Sequence, residues 1–282
     1  MKILNKFGLP EPLVKACAAF TREPNAKDLS VTELLQPPYM RKLTVDHFKE
    51  IEADVTERIW AIMGTAVHQV LEHGASDGAL SEEKLSHEFE GVKVTGTPDH
   101  LKDGVLQDWK VCGVYKIILD NMEDWSAQLN CYRYLFEKSG FPVKQLEIVA
   151  IMRDWNKREL GKTNDYPPQP VVVIPIEMWD LKKTEEFILD RIRLHKITYP
   201  EVCGPKDRWS RPDTYAVMKP GAKRATRVFK DKFEAEAFLT SLDKPGSPEY
   251  ELITRPGVDV RCEEYCSVAK WCPHYMGKNV VL

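Results

Sequence analysis

Asp99, Asp108 and Lys110 set two acids and an amine around an Asp103-Gly104 pair. Asp-Gly between apolar runs signals a two-residue hairpin turn. With those two residues as the turn, Lys102 pairs with Val105, and counting back along the arms sets Asp99 opposite Asp108. Directly opposed side chains share a sheet face with Cβ atoms roughly 4.5–5.5 Å apart. Lys110 falls opposite Thr97 on that same face, while Trp109 points to the other side. Two bare carboxylates so close repel each other, and a divalent cation relieves the repulsion. Carboxylate oxygens suit Mg²⁺ or Mn²⁺, and the Trp109 backbone carbonyl could add another oxygen ligand. An amine beside such a cation can orient a water or steady charge building on a phosphate. The plain alternative is a surface ion pair between Asp99 and Lys110 or Lys102.

These residues must be positioned by a sizeable fold. The chain has 282 residues, 43% hydrophobic and 29% charged, with a net charge of -3. That is ordinary globular composition, and it supplies a core without disulfide staples. The charge balance excludes a strongly basic protein but not a local basic groove. Lys219, Lys223, Arg224 and Arg227 are one basic cluster. No apolar run reaches 18 residues, so no membrane span is expected. The polar N-terminus does not read as a secretory signal, so the expected location is the cytoplasm, with thiols reduced.

The elements follow from periodicity and punctuation. Residues 1–45 read as a helical and irregular lead-in broken by prolines, with a capped short helix at Ser30–Leu35. A charged helical stretch is expected over about 46–59. A second helix follows over about 63–73, with Ala66, Val67, Val70 and Leu71 as its apolar stripe, ending near Gly74. Strands are expected over 87–110, 146–153 and 170–176, and helices over about 125–138 and 181–196. Beyond Cys203 the pattern predicts a hairpin around Lys219-Pro220-Gly221, a helix over 233–242 and a cysteine-rich tail. The domain reading is a lead-in (1–45), a core (46–200) and a C-terminal region (201–282).

Four blocks in order resemble the PD-(D/E)xK nuclease superfamily, and within it the RecB- and Cas4-like exonucleases, phage-encoded members included. They are Gly64-Thr65-Ala66-Val67-His68, Gly96-Thr97-Pro98-Asp99, Asp108-Trp109-Lys110 and Gln128-Leu129-Asn130-Cys131-Tyr132. The resemblance covers residues 60–155 well and the rest loosely. It implies a restriction-endonuclease-like α/β core, a mixed central sheet flanked by helices. It implies His68 as a metal ligand with Asp99 and Asp108, and Lys110 assisting the nucleophilic water. Gln128 and Tyr132, one helical turn apart, would contact the DNA backbone or hold Lys110. Glu72, one turn beyond His68, is a further acid on that helix. Arg153, Trp155, Lys157 and Arg158 could line a strand channel.

Cys262, Cys266 and Cys272 put three thiols in eleven residues, ahead of Pro273. Cys203 is the expected fourth ligand, in preference to Cys17, Cys112 and Cys131, and His274 is a substitute in a zinc site. Four thiolates suit Zn²⁺. The resemblance implies a [4Fe–4S] cluster instead, although the C-x3-C spacing and the position of Cys203 after the core depart from that pattern. Either metal would staple the C-terminal region. The expected function is metal-dependent hydrolysis of DNA by an exonuclease, in recombination or replication with proteins of those processes as partners, in the host cytoplasm if phage-encoded. The alternative is a non-catalytic DNA-binding or assembly protein that keeps the fold. Digestion polarity, strand preference and oligomeric state are not legible.

Overall fold

Val105–Cys112 is the strand around which residues 1–200 are organised, one of two units into which the chain divides; the other is 201–282. A computed structural model describes residues 1–19, 21–25, 27–74, 78–81, 83–163, 165–243 and 249–279. The central sheet has the spatial order β10 (Val171–Ile176), β9 (Gln145–Met152), β8 (Val105–Cys112), β7 (His100–Lys102), β4 (Leu80–Ser81). Strands β8 and β9 are parallel, with Asp108 beside Ile148 and Lys110 beside Ala150. The other neighbours are antiparallel, so the sheet is mixed. A second sheet holds β2 (Leu29–Ser30), β6 (Val92–Gly96) and β5 (Leu85–Phe89), and β1 (Lys2–Leu4) pairs with β3 (Glu52–Asp54).

The helices of this unit are α1 (Glu11–Ala19), α2 (Val31–Leu34), α3 (Pro38–His47), α4 (Ile59–His73), α5 (Val114–Ile118), α6 (Glu123–Lys138) and α7 (Leu181–Lys196). Local chemistry sets their ends. The Ser30 side chain accepts from Glu33 N–H while Glu33 reaches back to Ser30 N–H, the reciprocal cap that starts α2. Pro38 begins α3, where a missing N–H costs nothing. Asp180 caps α7, and Gly140 follows α6 with φ +87°. Helix α6 buries Trp125, Leu129, Tyr132 and Leu135, and α7 buries Ile188 and Ile192, all in the core formed with Leu106, Leu146 and Ile148. The α/β architecture expected from the sequence is present, a mixed sheet with helices packed on it.

The charged helix expected over 46–59 is not there. Helix α3 ends at His47, a short turn covers Phe48–Glu50, and the chain is then extended as β3. Ile51 and Ala53 are buried with the exposed Glu52 between them, the strand period. Asp54 is buried too, its carboxylate accepting the Lys6 and Thr56 N–H groups, a cap that starts a new turn rather than continuing a helix.

In residues 201–282, β13 (Arg227–Phe229), β12 (Thr214–Met218) and β14 (Glu251–Arg255) form an antiparallel sheet with α9 (Lys232–Leu242) against it. Val217, Phe229 and Ala235 are their own buried cluster. Helix α8 (Pro205–Arg208) leads into β11 (Ser210–Arg211), which pairs with β15 (Val258–Asp259). The cysteine segment follows, then α10 (Pro273–Asn279). Among the described residues no helix is long and apolar enough to cross a membrane.

Candidate active site

The β7–β8 hairpin turns on Asp103 and Gly104, both at positive φ, +54° and +86°. Two positive φ values define the type I′ turn that Asp-Gly favours. Lys102 pairs with Val105, Leu101 with Leu106 and His100 with Gln107, the register that a two-residue turn dictates. Asp99 stands one residue before β7, and both it and Asp108 are buried, 4% and 2% exposed.

Asp99 is held from two sides. Its Oδ2 accepts the Trp109 backbone N–H at 2.5 Å. Its Oδ1 lies 3.0 Å from His68 Nδ1, and His68 Nε2 lies 2.9 Å from the Trp109 carbonyl oxygen. A carboxylate and a carbonyl only accept, so this arrangement places a proton on both ring nitrogens. The hydrogen bond to Asp99 accordingly raises the His68 pKa, against the opposing effect of burial. The Trp109 ring is packed between His100, stacked at 5.9 Å, and the edge of His68 at 6.0 Å. Helix α4 and strand β8 therefore meet through His68 and the backbone of Trp109.

Asp108 has the opposite situation. Lys110 Nζ pairs with Asp108 Oδ2 at 2.5 Å, an ammonium in place of the backbone and imidazole donors that hold Asp99. Burial pushes the Asp108 carboxyl pKa up; Lys110 opposes the shift, and the charge of Asp99 adds to it. Two acids, an imidazole and an amine thus act electrostatically on one another.

Tyr132 of α6 feels the same pair of carboxylates. Burial raises its phenol pKa first, and the charges of Asp108 and Asp99 raise it further, so the phenol stays neutral. Gln128 Nε2 donates to the Tyr132 hydroxyl at 3.0 Å. The i and i+4 residues of the helix therefore hold each other, and Gln128 is spent on Tyr132 rather than on Lys110. Gly96 makes this approach possible. A Cβ there would lie 2.8 Å from the Tyr132 ring and 2.9 Å from Leu135. On the other side, a cavity of about 470 Å³ is lined by Gly64, Thr65, His68, Gln69 and Glu72. Glu72 joins His68 there, as their spacing of four on a helix requires.

No family model and no curated protein matches the chain. Solved structures give distant likenesses. SSO0001 superposes with a TM-score of 0.46 at 19% identity, over 64% of this chain and 84% of that one. An alkaline exonuclease from Laribacter hongkongensis gives 0.37 at 12%, over 64% and 90%. A candidate exonuclease from Eubacterium rectale gives 0.34 at 13%, over 66% and 85%. At such scores the functional reading stands on the side chains of this chain.

Of the four residues expected along a strand channel, Trp155 is committed to packing. Its Nε1–H donates to the Pro167 carbonyl at 2.9 Å, and its ring lies beside Tyr166. Arg153 instead lies over the ring of Trp60, at 4.6 Å, a residue that periodicity alone did not single out.

In the 201–282 unit, burial raises the thiol pKa of Cys262 and Cys266. Cys266, Asp259 and Cys272 add to the shift at Cys262, so the three clustered cysteines lie within electrostatic reach of one another. The Cys203 carbonyl accepts from Arg208 Nη1. His274 Nε2 lies 2.7 Å from Asp259 Oδ2, a contact that orients the ring and leaves Nδ1 as the nitrogen that could ligate. Among the described residues, no three His, Cys, Asp or Glu side chains converge as a formed metal cage.

Proposed function

We propose that this chain is a metal-dependent DNA nuclease, an exonuclease, with Asp99, Asp108 and Lys110 as its catalytic residues. One observation supports the reading above all: Asp99 and Asp108 are both buried, and burial together with the charge of Asp99 raises the Asp108 carboxyl pKa although Lys110 pairs with it. Two buried carboxylates that repel each other cost free energy that one ammonium only partly offsets. A divalent cation is the partner that would repay it.

The donor set fits a hard or borderline cation: two carboxylates, the Trp109 carbonyl and the His68 ring, which would give up a proton and one of its two hydrogen bonds on binding. Asp99, Asp108, the Trp109 carbonyl and His68 would hold Mg²⁺ or Mn²⁺. Bound there, the ion would polarise the phosphodiester and lower the pKa of a water. Lys110 would donate to that water or to the phosphate oxygens as negative charge grows. Its pairing with Asp108 fixes the ammonium at the strand surface before substrate arrives. Tyr132, kept neutral, remains a hydrogen-bond donor beneath the carboxylates, and Gln128 positions it.

The C-terminal cysteines are proposed as a structural site for a [4Fe–4S] cluster or Zn²⁺, with Cys203, Cys262, Cys266 and Cys272 as ligands. The mutual electrostatic influence of three of them and the softness of the thiolate set support this. DNA is the proposed partner, with recombination or replication proteins beside it, in the cytoplasm of the cell that makes the protein.

The test uses end-labelled single- and double-stranded DNA with and without Mn²⁺. Wild type is expected to cleave only with the ion, and Asp108→Ala and Lys110→Ala to lose at least about 100-fold. Mn²⁺ is also expected to raise the melting temperature of wild type but not of Asp108→Ala. Cleavage that survives both substitutions removes the site.

A further inference from the structure

The Trp60–Arg153 pair stands at the end of the catalytic strand. Arg153 follows β9 directly, and its N–H donates to the Cys112 carbonyl, the last residue of β8, at 3.0 Å. Cys112 lies two residues beyond Lys110, roughly 7 Å along the strand. Trp60 opens the helix that carries His68, eight residues ahead of it, which is about 12 Å along the helix axis. The two estimates approach the same corner from two elements, one to two nucleotide lengths from the carboxylates.

The chemistry of the corner fits a nucleobase. Trp60 is 56% exposed although it is the largest apolar side chain type, and Arg153 covers part of its ring. A single exposed cation–π contact is a small return for so much indole left in water. Tyr115, 69% exposed, follows two residues after Gly113. The Gly113 backbone runs alongside both side chains: a Cβ there would make ordinary contacts, 3.9 Å to Arg153 Nη2 and 3.4 Å to Asp154 Oδ2. Asp154 in turn accepts the Val114 N–H at 2.7 Å, which fixes the start of α5, the short helix that carries Tyr115. Aromatic faces beside a guanidinium are how single strands are held without sequence preference.

We propose that Trp60 and Arg153 form a stacking platform for an unpaired nucleobase of the strand whose backbone reaches Asp99, Asp108 and Lys110. The platform takes single-stranded DNA or the frayed end of a duplex, and a closed duplex, its bases stacked on each other, offers it no free face. The indole face takes the base, and the guanidinium neutralises the neighbouring phosphate. This rests on the nuclease reading for which strand enters, and the test separates the two.

The full-length protein is titrated, in EDTA so that no strand is cut, with a fluorescent 12-nucleotide single strand. A matched set carries one abasic site at successive positions from the end, and a blunt duplex of the same sequence is the control. In wild type, one abasic position is expected to weaken binding about 10-fold. Trp60→Ala is expected to weaken the intact strand by the same factor and to be indifferent to that abasic position. Trp60→Phe keeps an aromatic face and is expected to retain most of the abasic penalty. Should Trp60→Ala fail to fold, Trp60→Leu against Trp60→Phe poses the same question. An abasic penalty undiminished without the indole, or an equal loss on the blunt duplex, overturns the platform. Failure of the nuclease reading shows separately, as absence of Mn²⁺-dependent cleavage with the abasic coupling intact.

Discussion

At the scale of single residues, Asp108 is the most informative, because its surroundings oppose its charge. Burial raises its pKa, Asp99 adds repulsion, and Lys110 only partly compensates. A group kept in that state is held against stability for another purpose, the trade-off common at active sites. Asp108→Asn removes the charge and keeps the shape. In metal-free buffer the variant is expected to melt no lower than wild type, and up to about 1 kcal/mol more stable, while cleavage collapses. Lys110 is 21% exposed at its side chain, so it can turn to water when its anion is gone. A melting temperature several degrees below wild type would make Asp108 a structural residue. The placement of this acid was legible, since Asp103-Gly104 names a turn type and the turn names the register. The bonding of His68 to the Trp109 carbonyl was not. Forty-one positions separate them, and no local spacing encodes that pairing.

At the scale of elements, α2 announced itself by its cap and the longer helices by their periodicity, and the surroundings of those helices did not. The apolar stripe of α4, Ala66, Val67, Val70 and Leu71, reads as a core face. In the structure none of its residues is buried, and the stripe lines an open apolar groove of about 450 Å³ with Leu13, Ile59, Ile62 and Met63. Periodicity says that a face is apolar, and only the tertiary fold says what lies against it. The docking of α7 on α2 carries the same lesson and a prediction. Arg191 Nε and His195 Nε2 each donate to the Leu34 carbonyl at 2.9 Å, and Arg191 Nη2 to Gln36 O at 2.5 Å. These side chains satisfy carbonyls at the end of a helix that cannot satisfy them itself. Burial, with Arg191 and Arg41 nearby, pulls the His195 pKa down to about 4. The folded chain thus resists a proton that the unfolded chain accepts from about pH 6.5 downward. Stability from this residue is full above that pH and is lost as pH falls towards about 4. Allowing for its partial exposure, the loss is about 1–2 kcal/mol. His195→Gln keeps a donor and cannot titrate, so its urea stability is expected to change less between pH 7 and pH 4. Parallel pH curves for the two proteins would refute the assignment.

At the scale of the whole molecule, two units hold separate buried clusters, one under the central sheet and one around Val217, Phe229 and Ala235. The cysteine segment belongs to the second unit, and its framing depends on one buried acid. Asp259, 4% exposed, accepts from the Ser210 hydroxyl and pairs with Arg208 Nε at 3.2 Å and His274 Nε2 at 2.7 Å. Those partners lie on β11, α8 and α10, so one carboxylate ties together the elements on both sides of Cys262, Cys266 and Cys272. Arg208 also donates to the Cys203 carbonyl, which links the fourth proposed ligand to the same hub. Removing the carboxylate leaves the mostly buried Arg208 without its counter-charge, a defect worth about 3–5 kcal/mol. Because the cores are separate, the damage should stay local. In Asp259→Ala, amide hydrogen exchange is expected to quicken across residues 201–279, while β8 and β9 keep their protection. Cleavage of a short oligonucleotide should survive, since none of its proposed residues lies in that unit. Equal loss of protection in β8 and β9 would show that the carboxylate holds the entire chain together rather than its C-terminal part.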